Sequence, residues 1–506
     1  MTRRRHRPKR VAKAIRQLPW QAVTNPYAPV EVLSADAVET IVATACRVLE
    51  TQGMRFLEAS SRERMRAAGA TVDEESMTVR LDRGLIEEKL ALAPDSFTLR
   101  ARNPDHDLAL GGNRIVFASV GGPAFVSDLD RGRRPGTYAE VCDYLRLVQS
   151  LNIIHQEGGG PFEAMDLPAE TRHLDLYLAQ LRYTDKNCQA YALGRERTLD
   201  AIEMTSIALG TNRDDLLENP AVLAIINTNS PLQLDIPMTE AVIELAGAGQ
   251  AVCITPFTLA GSMSPATLAG TLVQQTAEVL AVAVLAQTVR PGAPIMYGSF
   301  ASNVDMQSGA PALGTPEYTK AAQASGQIAR RLGLPFRSSN TTVANCIDAQ
   351  AAFESEMSLW GSIMGHAHLV NHAAGWLEGG LTASFEKLVI DAEMLQMFAE
   401  YLRPIGISDD ELAVDAIAEA GPGGHHFGTS HTLARYETAF YAPMLANRQN
   451  FEAWQEAGSI DIARRANELW KKLLAEYEQP PLDPAVDEAL ADYVNRRKRQ
   501  LLPQAG

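Results

Sequence analysis

The sequence has no paired cysteines. Its five (Cys46, Cys142, Cys188, Cys253 and Cys346) are scattered over 506 residues, and no two form a CxxC pair. This excludes a disulfide frame and points to buried thiols in a reducing compartment. Long hydrophobic runs are missing as well. No stretch approaches the roughly 18 uninterrupted apolar residues of a membrane span, and the start of the chain lacks the apolar centre of a secretory signal. The expectation is a cytoplasmic protein with no membrane partner. Positive charge is scarce outside one segment: the formal net charge is −15, residues 1–16 hold eight basic residues and no acid, and −23 is left on the rest. So acidic a body excludes nucleic acid as the main partner. The basic arm reads as a solvated tail or a strap on an acidic neighbour, with polyanion binding as the alternative. Phosphate loops are absent too. The glycine runs at 157–160 and 421–424 carry neither GK[ST] nor a Rossmann spacing; they read as plain loops, or alternatively as mobile lids.

What is present is a repeat. Apolar runs of strand length occur at 115–117, 152–155, 188–193, 222–226, 251–256, 294–297, 334–337 and 368–370. Patterns of helical period fill the gaps at 137–150, 174–184, 197–210, 238–248, 265–289, 315–332 and 348–363. Short strands alternating with helices predict an α/β fold, a (β/α)8 TIM barrel of parallel strands. The flanks predict helices: an α-rich segment with a small sheet before the barrel, and a helical lobe after it with patterns at 408–420, 461–477 and 484–500. The expected division is 1–110, 111–405 and 406–506.

In such a barrel the residues just past each strand converge at one mouth. They include Phe117, His155, Glu157, Tyr191, Asn227, Asn229, Tyr297, Phe300, Asn340 and His372, with the hydroxyls of Ser119, Thr258 and Ser339 beside them. The set is aromatic and neutral-polar. It lacks the carboxylate pair of a glycosidase and a lysine suited to Schiff-base chemistry. Aromatic faces beside amides suit a compact organic cation, attracted by roughly 0.5–2 kcal/mol per ring. His366, His368 and His372 invite a second reading, a metal-dependent barrel hydrolase. Against it, there is no HExxH, no suitably spaced cysteine and no acid within the cluster, so no metal is expected. His425, His426 and His431 lie in the glycine-dense stretch 421–431.

A set of short motifs, weak singly and specific in their order, runs along nearly the whole chain. They are the Arg-rich start; Val120-Gly-Gly-Pro-Ala124 with Asp128 and Gly132-Arg-Arg-Pro135; Thr184-Asp-Lys186; Ser230-Pro-Leu232; Gly261-Ser-Met-Ser-Pro-Ala-Thr-Leu-Ala-Gly270 with Gln274, Ala277 and Glu278; Asp348-Ala-Gln350; Ala373-Ala-Gly-Trp376 with Gly379-Gly-Leu381; and Gly421-Pro-Gly-Gly424 with Thr429 and His431. With these the chain resembles the trimethylamine methyltransferase family, in its non-pyrrolysine branch, which includes glycine betaine methyltransferases. The resemblance implies a barrel that presents a methylated amine to a separate corrinoid protein, whose Co(I) takes the methyl group. The DxHxxG string of corrinoid-binding modules is absent, so the corrinoid (cobalamin) would arrive on that partner. The type enzyme uses pyrrolysine, whereas every residue here is a standard one. A quaternary ammonium needs no such help, because it already carries its charge and leaves as a neutral amine. The expected substrate is therefore a betaine-type quaternary amine, with Arg337, Asn227, Asn229, Asn340 and His372 as candidate partners for its carboxylate. A homo-oligomer is expected. A non-catalytic quaternary-amine-binding protein is the remaining alternative.

Overall fold

A computed structural model describes residues 15–502; the basic arm, apart from Ile15 and Arg16, lies outside the described residues. The repeat forms eight parallel strands: β1 (Arg114–Ser119), β2 (Gln156–Glu157), β3 (Asn187–Cys188), β4 (Leu223–Ile226), β5 (Ala251–Ile254), β6 (Ile295–Gly298), β7 (Phe336–Ser339) and β8 (Leu369–Ala374). They pair in chain order, and β8 returns to β1. Between β3 and β4 the ring is closed by a parallel bridge from Gln189 to Leu223. A helix follows each strand: α1 (Tyr138–Ser150), α2 (Arg172–Tyr183), α3 (Gly194–Ala208), α4 (Ile236–Gly247), α5 (Leu268–Val289), α6 (Pro316–Arg331), α7 (Ala349–Met364) and α8 (Phe385–Tyr401). The fold is the expected (β/α)8 barrel. One of the eight runs was misplaced: residues 152–155 precede β2 instead of forming it.

Alternate residues of each strand face opposite sides. Val116, Ala118, Leu223, Cys253, Met296 and Leu369 point inward and form a closed apolar cluster. Ile115, Phe117, Ile226, Ile254, Tyr297 and Val370 point outward into the larger core shared with the helices. The lower end is plugged by a hairpin, Phe97–Leu99 with Leu108–Leu110, whose leucines join the inner cluster. Val23–Thr24 adds an antiparallel strand along β1.

Among the described residues α5 is the one helix long and apolar enough to cross a membrane, with 22 residues and a mean hydropathy of 1.5. Its apolarity has another cause. One side lies on the barrel and another meets the N-terminal helix Ala35–Thr51, so 78% of its apolar window is buried. That N-terminal helix is capped by Ser34, which accepts the Ala37 N–H (3.2 Å). The small sheet beside it, Met54–Phe56 with Thr71–Asp73 and Thr78–Arg80, continues into Gln233–Leu234 of the loop after β4. At the far end of the chain, Pro484–Leu501 lies on α2 and α3, where Arg497 pairs with Asp200 (2.6 Å) and Lys498 with Asp175 (2.5 Å).

Candidate active site

Above the apolar plug the barrel interior turns polar. Gln156 donates to Asn187 (2.6 Å), and Gln189 donates to Gln156 (2.8 Å) and to Asn371 (2.6 Å). This amide chain satisfies itself and forms a floor. Over it, at the C-terminal ends of the strands, opens a cavity of 710 Å³.

Six of the sequence-predicted residues line that cavity: Tyr191, Asn227, Asn229, Phe300, Arg337 and His372. Five do not, and strand parity or strand position explains each. Phe117 faces outward, where it stacks on His155 with ring centroids 5.5 Å apart. Tyr297 also faces outward, and its hydroxyl meets Gln275 (3.0 Å) and Thr276 (2.9 Å) of α5. His155 precedes β2 at the plugged end; its Nδ1 accepts the Phe117 N–H (3.0 Å), and burial drops its pKa to about 3. Glu157 turns away from the cavity and accepts the Gly159 and Gly160 N–H groups (2.8 and 2.9 Å). Asn340 is fully buried behind the wall and donates to Ala373 O (2.9 Å).

The three histidines of the metal reading do not meet. His366 bonds to Tyr27 O (2.9 Å), and His368 accepts the Phe336 N–H (2.8 Å) and bonds to Gly112 O (3.0 Å), both before β8. His372 lies at the opposite end. No group of three His, Cys, Asp or Glu that could hold a metal occurs among the described residues.

A bulge sets the geometry of β8. The register with β1 shifts between Val370 and Ala374, and His372 takes a left-handed backbone (φ +51°). Such a shift re-aims a side chain, so consecutive residues, Asn371 and His372, both reach the cavity. His372 packs against Trp376 with ring centroids 4.3 Å apart, and Phe300 lies 6.0 Å from Trp376 and 5.0 Å from Phe257. Phe257, Phe300, Trp376 and His372 therefore make one aromatic wall. The backbone of Gly380 (φ +99°) lies flat on the Trp376 ring: a Cβ there would sit 2.5 Å from it. Sequence reasoning missed Phe257, Trp376, Gln189 and Asn371. Trp376 and the Gly379–Gly380 pair stand in the quoted motifs, which was the available signal.

The electrostatics are simple. No Asp, Glu or Lys lines the cavity. Burial and the neighbouring Arg337 cation hold His372 well below the usual histidine pKa, so its imidazole is neutral. Arg337 is 1% exposed, and its one hydrogen bond runs from Nη1 to Ser299 O (3.2 Å). Its Nε has no partner, and no carboxylate among the described residues pairs with it. Burial lowers its pKa, yet a guanidinium keeps its proton at any physiological pH. The cavity thus holds one uncompensated positive charge, 5.7 Å from the Phe300 centroid.

Carboxylates behind the wall fix its loops. Glu278 of α5 takes the hydroxyls of Thr228 and Ser230 and the Leu232 N–H (2.9 Å), which holds the loop carrying Asn227 and Asn229. Glu354 of α7 does the same after β7, accepting the Thr342 hydroxyl (2.5 Å) and the Val343 N–H (2.8 Å).

A cavity at the C-terminal face of a (β/α)8 barrel, built from the loops after its strands, marks an enzyme acting on a small molecule. The chain belongs to the trimethylamine methyltransferase (MTTB) family, whose model matches residues 1–502, and it is a methyltransferase. It is 36% identical to a glycine betaine methyltransferase of Desulfitobacterium hafniense (strain Y51) over 93% of this chain and 98% of that one. It is 28% identical to the trimethylamine methyltransferase MttB of Desulfitobacterium hafniense (strain DSM 10664 / DCB-2), over 91% of this chain and 92% of that one. Among solved structures, the hydroxylamine complex of MtmB shares the fold, with a TM-score of 0.52 at 10% identity over 91% of this chain and 88% of that one.

Proposed function

We propose that the enzyme demethylates a betaine, a quaternary ammonium that also carries a carboxylate, and passes the methyl group to a corrinoid on a partner protein. The observation that supports this reading is the unpaired, buried Arg337 beneath an aromatic wall. A free guanidinium in a cavity without acids repels a bare cation such as trimethylammonium, whereas it offers a carboxylate charge-assisted hydrogen bonds of about 1.5–3 kcal/mol. The cationic end of the same molecule is then held by ring faces. A zwitterion answers both features.

In this reading Arg337 takes the carboxylate, and Asn227, Asn229 and His372 are candidates for its remaining contacts. Phe257, Phe300 and Trp376 surround the methylated nitrogen and exclude water. Catalysis is positioning: the substrate is held with one N-methyl group toward the open mouth. The step requires no base or nucleophile from the protein, so the neutral His372 serves binding and not proton transfer. The C–N bond breaks with its electron pair staying on nitrogen, and a neutral tertiary amine departs. The reduced corrinoid supplies the electron pair that forms the new bond to carbon. A cavity of 710 Å³ suits a small betaine, and the corrinoid would approach from outside. The working unit we propose is a cytoplasmic homo-oligomer; a reducing compartment fits five free cysteines, four of them buried.

Calorimetry with glycine betaine, carnitine, proline betaine, choline and trimethylamine tests the substrate class. A betaine is expected to bind at least ten times more tightly than choline, which has the same cationic head and no carboxylate. Equal affinities, or preference for trimethylamine, would overturn the reading. Methyl transfer to reduced free cobalamin, followed by its visible spectrum, tests the reaction separately.

A further inference from the structure

Helix α5 is rich in alanine, valine and leucine, yet it keeps Gln275, Thr276 and Glu278 fully buried. Glu278 holds the loop after β4. Gln275 has no loop to hold. A buried amide costs free energy unless its hydrogen-bonding groups are used, and here they are. The Ser299 hydroxyl donates to Gln275 Oε1 (3.0 Å), the Gln275 amide donates to Ser325 Oγ of α6 (3.0 Å), and the Ser325 hydroxyl donates back to Ser299 Oγ (3.0 Å). The Gln275 amide also donates to the Tyr297 hydroxyl (3.0 Å). The three side chains form a closed, buried cycle in which every donor runs the same way round. Hydrogen bonds linked in this way polarise and strengthen one another.

The cycle fixes Ser299, the residue that follows β6. Its backbone meets Arg337 twice: the Ser299 N–H donates to Arg337 O (3.0 Å), and Arg337 Nη1 donates to Ser299 O (3.2 Å). Next to it, Gly298 is pressed on β5, where a Cβ would lie 2.1 Å from Thr255 Oγ1. The peptide that anchors the guanidinium is thus held by the helices on one side and by close packing on the other. With Nη1 tied there, the Nε–Nη2 edge has no hydrogen-bond partner among the described residues. Such an edge is a fork that can take both oxygens of a carboxylate.

We propose that Gln275 is a positioning residue for substrate binding: acting through Ser299, it fixes the Arg337 guanidinium so that the free edge meets the substrate carboxylate. Gln275 itself does not line the cavity. The assignment rests on the reading of Arg337 as the carboxylate's partner. A long side chain with one protein hydrogen bond loses its geometry once that anchor shifts, and ordering it again on binding weakens affinity. The attraction of a methylated cation to ring faces does not pass through this cycle. Loss of Gln275 therefore acts on the carboxylate end of the substrate and spares the cationic end.

Calorimetry with glycine betaine and with choline, which share a cationic head, gives the ratio of the two affinities for each variant. Gln275→Met keeps the length of the side chain and removes the amide. It is expected to cut the betaine-over-choline ratio about fivefold, with choline affinity unchanged. Ser325→Ala opens the cycle from α6 and is expected to cut the ratio about twofold. The control Thr276→Val removes a hydrogen bond to the same Tyr297 hydroxyl without touching Ser299. It is expected to lower Tm and leave the ratio unchanged. A ratio that falls as far in Thr276→Val as in Gln275→Met would make the effect one of general packing and overturn the assignment. A high wild-type ratio kept by Gln275→Met, or by Ser325→Ala should Gln275→Met fail to fold, would overturn it while leaving the reading of Arg337 intact. A wild-type ratio near one would remove that reading, and the assignment with it.

Discussion

The two ends of the barrel use the same eight strands to opposite purposes. At the lower end the inward residues are Leu223, Cys253, Met296 and Leu369, sealed by leucines of the 97–110 hairpin. At the upper end the same strands and their loops present Gln189, Asn227, Arg337, Asn371 and His372 to an open cavity. Only the chain of amides separates the two. The lower end shows what the sequence does when burial alone decides. The upper end keeps inside it a charge with no carboxylate partner, and that costs stability.

Three substitutions would break or sharpen this contrast. Leu223→Ala, at the sealed end, is expected to cost about 3–4 kcal/mol of unfolding free energy through lost burial and a residual cavity. Denaturant titration measures that, and betaine affinity should remain unchanged; a large loss of affinity would show that the ends are not separate. Arg337→Met, at the open end, should do the reverse. Betaine binding is expected to weaken by about 100-fold, or some 2.7 kcal/mol, while thermal stability holds or rises because an uncompensated charge is gone. A fall in melting temperature would assign the guanidinium a structural role and undo the contrast. Trp376→Leu is the smallest: losing one ring from the wall is expected to weaken betaine binding by about 1 kcal/mol. Affinity for a carboxylate lacking the ammonium group should not change; a matching loss would mean that the ring only shapes the cavity.

Much of the barrel could be read in the sequence because its strands are buried on both faces. The uniform run at 251–256 contains β5 because helix and interior both demand apolar side chains there. The same property hid the direction of each residue. Nothing in the sequence distinguishes the inward parity of Cys253 from the outward parity of Ile254, so Phe117 and Tyr297 were expected at the mouth and are found under the helices. β2 was missed for a different reason. It is two polar residues long, whereas Ile153 and Ile154 just before it are buried core residues that imitate a strand. His372 faces the cavity only because β8 bulges, and a bulge leaves no periodic trace. Trp376 was overlooked as a wall residue because it follows that bulge, in a short strand, Trp376–Leu377, beyond the barrel proper. Several of the quoted motifs have proved to hold the frame. Lys186 caps the end of α1 through the carbonyls of Val148 and Leu151 (2.7 and 2.9 Å), and Glu278 steadies a loop.

The lone guanidinium also governs how the empty enzyme meets its solvent. With no internal counter-ion, the resting cavity favours whatever small anion the medium provides, so chloride, formate or acetate in a buffer would be a competitor and not a spectator. Apparent affinities would then shift with the salt chosen, and the enzyme's sensitivity to its surroundings would follow from a charge left without a mate.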